Sequence, residues 1–193
     1  MSLPPPRALT ALLCGGLLLA ALPGLPAQAA SLEDIRQLEN LINASGTETI
    51  VSGNCPPNHA GYYENDGRSI DRLVICKRNV DMGDVDAVWE VMAHEATHIM
   101  QSCTGTTAIA DELMPRTFRE LQTLAPHYAK LISTQYRSAE QRLEAEAFWM
   151  ELQTPPVVMD LFQRNCAAFL KGSDGPQRQP PVLPEGRSNP LKP

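Results

Sequence analysis

The chain has 193 residues, 43% of them apolar and 20% charged, with a formal charge of −6 at neutral pH. That is enough apolar material for one packed core, too little chain for two, and a composition that excludes wholesale disorder. The acidic balance, with no basic run and no interleaving of aromatic with basic residues, argues against nucleic acid and anionic membrane surfaces as partners.

In chain order, Met1 to Ala30 carries a single charge, Arg7, ahead of an apolar stretch from Ala11 to Leu22. Pro23, Gly24 and Pro26 break that stretch, and the small-residue triplet Ala27-Gln28-Ala29 follows it. This pattern predicts a secretory signal peptide over residues 1–29 with cleavage near Ala29. The apolar core is shorter than the ~20 residues that a membrane span needs, so no membrane association is expected once the leader is gone. Cleavage removes one of the 16 basic residues and none of the 22 acidic ones, which moves the formal charge from −6 to −7. The expected destination is secreted or periplasmic.

Cys14 leaves with the leader. Cys55, Cys76, Cys103 and Cys166 remain, an even number in a compartment that permits oxidation, and two disulfides are expected. Four cysteines allow three pairings. Cys55 with Cys76 and Cys103 with Cys166 is favoured, because the first two flank a candidate β-hairpin and the others end or lie in helices. No C-x-x-C spacing supports a four-cysteine metal site.

Leu32, Ile35, Leu38, Leu41 and Ile42 recur at helical spacing, with Ser31 placed to cap and Gly46 just beyond, which predicts a first helix over 31–44. From Thr49 to Arg78 the short runs Thr49-Ile50-Val51, Gly61-Tyr62-Tyr63 and Leu73-Val74-Ile75-Cys76 alternate with turn residues, among them the pair Asp66-Gly67. They predict a small antiparallel sheet ending on Leu73–Cys76. A helix follows over about Asp84–Cys103, with Val85, Val88, Trp89, Met92, Ala96, Ile99 and Cys103 toward the core. Its other side carries a stripe of Val91, His94, Glu95, His98 and Gln101. Three further helices are predicted: from about Pro115 to Ile132, from a Ser138 cap to Leu152, and from Thr154-Pro155 to Leu170 with Gly172 ending it. The proline-rich segment 173–193 reads as a disordered tail. The expected organisation is thus a leader (1–29), one α+β domain (30–172) and a tail (173–193).

The stripe holds the run His94-Glu95-Ala96-Thr97-His98. Residues four apart on a helix lie on one face, so His94 and His98 can aim their imidazoles at one metal ion. Glu95, at the edge of the same stripe, is placed to take a proton from a metal-activated water and return it to a leaving amine. A metal, a nucleophile and a base are thereby compressed into five residues.

These five residues, preceded by a strand, resemble the zincin metallopeptidases. The resemblance implies a Zn2+ cofactor, a peptide or protein substrate, and a zincin-like α+β fold in which a small antiparallel sheet lies over the motif helix. It also implies that Leu73–Cys76 is the strand running along the cleft. The metzincin branch is excluded, since Gln101 and Thr104 stand where its glycine and third histidine belong. The segment from Arg142 to Phe148 is similar to the second motif of the gluzincins, and the similarity puts Glu144 in the third-ligand slot. Glu146 is its rival: residues two apart on a helix point about 200° apart, so only one can face the metal, and apolar neighbours flank both. Phe148 stands where gluzincins have an aspartate that hydrogen-bonds a zinc histidine, leaving the support of that histidine unaccounted for.

His59 and His127 read as structural or exposed. Tyr62, Tyr63, Tyr128 and Tyr136 are candidates to offer a hydroxyl to an oxyanion, Tyr136 being the closest ahead of the glutamate helix. Trp89, Met92 and Met100 read as core, and Gln101 as a cleft or surface amide. Two functions follow as expectations: a secreted zinc-dependent peptidase with Glu95 as general base, or a non-catalytic secreted metal-binding or interaction module on the same scaffold.

Overall fold

A computed structural model of the chain describes residues 29–170. The predicted leader, apart from Ala29, and the predicted tail lie outside the described residues, as does Gly172. Ser31 opens helix α1 (Leu32–Ala44) with reciprocal bonds: the Asp34 amide donates to the Ser31 hydroxyl at 3.2 Å and the Ser31 amide to the Asp34 carboxylate at 2.9 Å. Leu38 and Ile42, four apart, are wholly buried from this helix.

Three strands follow: β1 (Glu48–Ser52), β2 (Gly61–Asn65) and β3 (Asp71–Cys76), in spatial order β1-β3-β2. The predicted sheet was purely antiparallel. In fact β3 pairs antiparallel with β2 but parallel with β1, with Glu48 opposite Arg72 and Ser52 opposite Cys76. The connection from β1 to β2 crosses the end of β3 instead of turning back beside it, and the Cys55–Cys76 disulfide pins that crossing. The strand expected at the cleft edge is also corrected. Leu73 to Cys76 are all buried, so β3 takes the centre, where both neighbours satisfy its backbone, and β2 is left at the edge beside the motif helix.

That helix, α2 (Val85–Thr104), starts where the Asp84 carboxylate accepts the amides of Asp86 and Ala87 and stops at Gly105, whose φ of +72° is a left-handed cap. It runs through the centre of the molecule. Trp89, Met92, Ala96 and Ile99 pack with Leu38 and Ile42 of α1, Leu73 and Ile75 of β3, and Val158 and Phe162 of α6 (Pro155–Asn165). Gly61 lets β2 approach closely: a Cβ there would stand 2.5 Å from a Val91 methyl and 2.9 Å from the Val74 carbonyl oxygen.

A 3-10 turn at Asp111–Leu113 leads into α3 (Met114–Leu124), then α4 (Pro126–Gln135) and α5 (Ser138–Glu151). The single helix predicted from Pro115 to Ile132 is broken at Ala125, which sits at φ −140° and ψ 65°, because Pro126 has no amide to donate and bars its predecessor from helical geometry. Ser138 is the first helical residue of α5 instead of its cap; the Arg137 amide, one residue earlier, donates to Glu140. The last helix ends at Asn165, short of the predicted Leu170. A second core of Ile109, Met114, Leu121, Ile132, Ala145 and Phe148 fills the space between α3, α4 and α5.

The result is one α+β domain, mostly helical after β3. Both disulfides pair as favoured, and they point to an oxidising environment. Among the described residues no helix is long and apolar enough to cross a membrane.

Two outcomes are expected. Cys103–Cys166 closes a sequence separation of 63 residues between the ends of α2 and α6, so replacing both by alanine lowers unfolding stability by roughly 2–5 kcal/mol in chemical denaturation. In the β2–β3 hairpin the Asp66 carboxylate accepts the amides of Ile70, Arg68 and Ser69, which hold its pKa down at about 2. A folded pKa below the unfolded one stabilises above the unfolded value. Amide-exchange protection of residues 68–70 should therefore persist on acidification and vanish only as pH falls through about 2, and Asp66→Ala should remove it at neutral pH.

Candidate metal centre

Two helices build the site from matching stripes. On α2 the residues at i, i+4 and i+7 are His94, His98 and Gln101; on α5 they are Glu144, Phe148 and Glu151. Helical geometry puts each triplet on one face, and α5 lays its stripe across that of α2.

The Glu144 carboxylate reaches both imidazoles, with Oε2 at 3.7 Å from His94 Nε2 and Oε1 at 3.9 Å from His98 Nε2. Three ligand atoms of His94, His98 and Glu144 lie within 4.8 Å of one another, a group able to hold a metal ion. Bonds of about 2.0–2.2 Å at tetrahedral angles separate ligand atoms by about 3.4 Å, so a pair at the 4.8 Å limit would have to close by about 1.4 Å on binding a metal. Glu144 Oε2 is buried and has no hydrogen-bond partner. An orphaned carboxylate oxygen costs free energy unless something else meets it, and a cation between the imidazoles would meet it. These residues fit a metal.

Each imidazole is turned by a partner on its other nitrogen. His94 Nδ1 is 2.6 Å from Glu151 Oε1, and His98 Nδ1 is 2.9 Å from Gln101 Oε1. Gln101 cannot present its other end, because its Nε2 already donates to the Leu143 carbonyl at 3.0 Å and to Glu146 Oε2 at 3.1 Å. With Oε1 toward His98, the Nδ1 of that ring carries the proton and Nε2 is free to ligate. Glu151 does the same for His94.

Glu151 is the residue that sequence reading missed. Phe148 occupies the slot of the expected aspartate and packs edge-on against His94, with ring centroids 4.7 Å apart. The hydrogen-bonding carboxylate comes instead from one turn further along α5. The signal was present: Glu151 is seven residues after Glu144 and so on its face, whereas Glu146 is not.

Of the rivals Glu144 and Glu146, Glu144 is the one that shares a face with the imidazoles. Glu146 is fully buried and accepts from the Ala108 amide at 2.7 Å and from Gln101, with Arg142 Nε at 3.5 Å. Arg142 also binds Asp111. Glu146 thus anchors the segment after α2, away from the imidazoles.

Glu95 is 5% exposed and accepts the Tyr63 amide of β2. In the antiparallel register the Cys76 amide donates to Ala60, so alternate residues of β2, Tyr63 among them, turn their amides away from β3. Burial raises the proton affinity of Glu95; the two imidazoles and the Tyr63 amide oppose it, and Glu144 adds to it. At His94 burial disfavours the charged ring, but the Glu151 hydrogen bond and the charges of Glu151, Glu95 and Glu144 outweigh it and lift the pKa to about 9 without a metal.

Two of the four tyrosines reach the site. Tyr136 bonds to Glu144 and Tyr128 to Glu151, and burial first, then those carboxylates, keep both phenols protonated. The Tyr63 hydroxyl instead meets Asn65, at 2.9 Å. His59 is buried with Nδ1 3.1 Å from the Pro57 carbonyl, and exposed His127 stacks on Tyr128, so neither joins the metal group.

Compared with protein-family models, with curated proteins and with solved structures, the chain matches none.

The two glutamates should separate cleanly on substitution. Glu144→Ala is expected to abolish stoichiometric metal binding, measured by calorimetry, with little loss of stability. Glu146→Ala strands the Ala108 and Gln101 donors and should cost roughly 2–5 kcal/mol in denaturant unfolding. A metal-binding loss in Glu146→Ala with unchanged stability would reverse the assignment.

Proposed function

We propose that this chain is a secreted, zinc-dependent peptidase of the zincin type, with His94, His98 and Glu144 as ligands and Glu95 as general base. The observation that carries the reading is the convergence of ligand atoms from His94, His98 and Glu144, with one Glu144 carboxylate oxygen orphaned there, beside a buried glutamate aimed by a backbone amide. A two-histidine, one-glutamate donor set is one of those used by catalytic zinc, and it leaves a coordination position open. Bound zinc supplies a positive charge that polarises a carbonyl and brings the pKa of a water to about 7.

The chain's own residues do the rest. Glu95, whose burial raises its affinity for a proton, accepts one from the attacking water and delivers it to the departing amine. The Tyr63 amide holds that carboxylate in place, while Glu151 and Gln101 keep the imidazoles turned to the metal. Tyr136, a protonated phenol already beside Glu144, offers a donor to charge that develops on the carbonyl oxygen. Gly61 lies on the outward-facing register of β2 and lines the cavity at His94 and Glu95, so an extended peptide backbone can lie along this strand edge. Peptide or protein is accordingly the substrate class we assign, and the Ala27-Gln28-Ala29 leader pattern with two disulfides supports export.

The test is a pair of measurements on mature protein. Wild type should carry about one equivalent of zinc and cut members of a peptide library, and Glu95→Gln should keep the zinc while losing at least about 100-fold in rate. Metal-free wild type after zinc dialysis would overturn the metal assignment. Zinc without cleavage of any peptide would leave the binding-module reading in its place.

A further inference from the structure

A cavity of about 370 Å³ begins at His94 and Glu95 and extends one turn toward the N-terminus of α2, to Val91 and Glu90. Across from α2 it is walled by Tyr128 and Leu131 of α4 and Phe148 of α5. A volume of this order accepts a ligand group with part of its backbone.

Its polar and apolar atoms are segregated. Asn58, Glu90 and Gln135 are exposed and ring the mouth, whereas Val91 and Phe148 are buried and Tyr128 and Leu131 half-buried. The polar groups deeper in are already engaged. The Tyr128 hydroxyl is bonded to Glu151, the Tyr136 hydroxyl to Glu144, and Glu151 also receives His94 Nδ1. With its hydroxyl engaged by Glu151, Tyr128 has its ring to offer the space. Glu90, Glu95 and Glu151 all border it, which makes it hostile to an acidic group. Leu131 is half-buried at the margin of the second core and also borders the cavity, whereas its neighbour Ile132 lies in the interior.

We infer that this cavity is a specificity pocket that takes a large apolar or aromatic side chain of the substrate, with Leu131 as its determinant. The inference rests on the peptidase reading for the word substrate, but the pocket can be tested without turnover. Burying a phenyl ring against Val91, Leu131, Tyr128 and Phe148 should tighten any ligand that is anchored at the metal.

The experiment titrates the zinc-loaded protein with three hydroxamates, which anchor on zinc through the same two oxygens and differ only in the arm: methyl, phenylpropyl and aminobutyl. The phenylpropyl compound is expected to bind at least about tenfold tighter than acetohydroxamate. Leu131→Asp should bring it down to the acetohydroxamate level while leaving acetohydroxamate itself unchanged, which also reports that the variant is folded; the comparison within wild type stands if it is not. Equal affinity for methyl and phenylpropyl compounds would overturn the pocket and leave the metal site and the peptidase reading intact. Tightest binding of the aminobutyl compound would also overturn it, and would make Glu90 the determinant of a basic preference. Failure of all three to bind would overturn pocket and zinc site together. Discrimination for phenylpropyl in a protein that cuts no peptide would uphold the pocket and sink the peptidase reading alone.

Discussion

One buried amide holds the two halves of the site in register. Gln101 is fully buried on α2, and its Nε2 is committed to two acceptors contributed by α5, the Leu143 carbonyl and the Glu146 carboxylate. Those two bonds leave Oε1 no direction but toward His98. The same side chain therefore docks α5 on α2 and selects the tautomer in which His98 Nε2 is free. A buried amide that lost a partner would carry a penalty of about 1–3 kcal/mol, so each bond helps to enforce the others. Glu144 arrives opposite the imidazoles because Gln101 grips α5 on either side of it, at Leu143 one residue before and at Glu146 two residues after.

The site gathers more negative charge than its own cations balance. Glu95, Glu144 and Glu151 surround two imidazoles in a poorly solvated space, and Arg142 on the same helix is engaged by Glu146 and Asp111. Without a metal, the arrangement responds by holding a proton on His94. Buried carboxylates demand a counter-charge or neutralisation. A metal ion held there would answer that demand at the point where Glu144 Oε2 has no hydrogen-bond partner. The orphaned oxygen and the retained proton are two consequences of the same electrostatic imbalance.

Position in the molecule explains why such a site can be both buried and open. α2 contributes one face to the larger core of α1, β3 and α6 and turns its polar stripe toward the seam with α5. β2 is the outer strand and meets α2 closely through Gly61, which brings the Tyr63 amide within reach of Glu95. α4 then forms the outer wall. The break at Ala125–Pro126 gives this wall its own direction, and a continuous helix from α3 would have carried Tyr128 and Tyr136 elsewhere.

Local chemistry was legible in the sequence wherever it depended on residues a few positions apart. The His94/Glu95/His98 stripe, the Ser31 cap, the start and stop of α2 and the start of α6 follow from helical spacing and from side chains that bond their own backbone, and the cysteines pair as their flanking elements suggest. The break before Pro126 is local in the same way, since proline bars its predecessor from helical geometry. Contacts between distant segments were not legible. Whether β1 runs parallel to β3, and which strand lies at the edge, depends on where a crossing loop is pinned and on which strand is apolar enough to need two neighbours. Glu144 could be favoured over Glu146 only by resemblance; what decides it is that Gln101, Arg142 and the Ala108 amide, brought from three different segments, claim Glu146 for the interior. Glu151 could stand in for a missing aspartate only once α5 lay across α2 with a fixed phase. The sequence by itself determined the ligand-bearing helix face, because periodicity acts along one chain segment; the tertiary structure decided which acids meet that face, because that depends on the rotation of one packed helix against another.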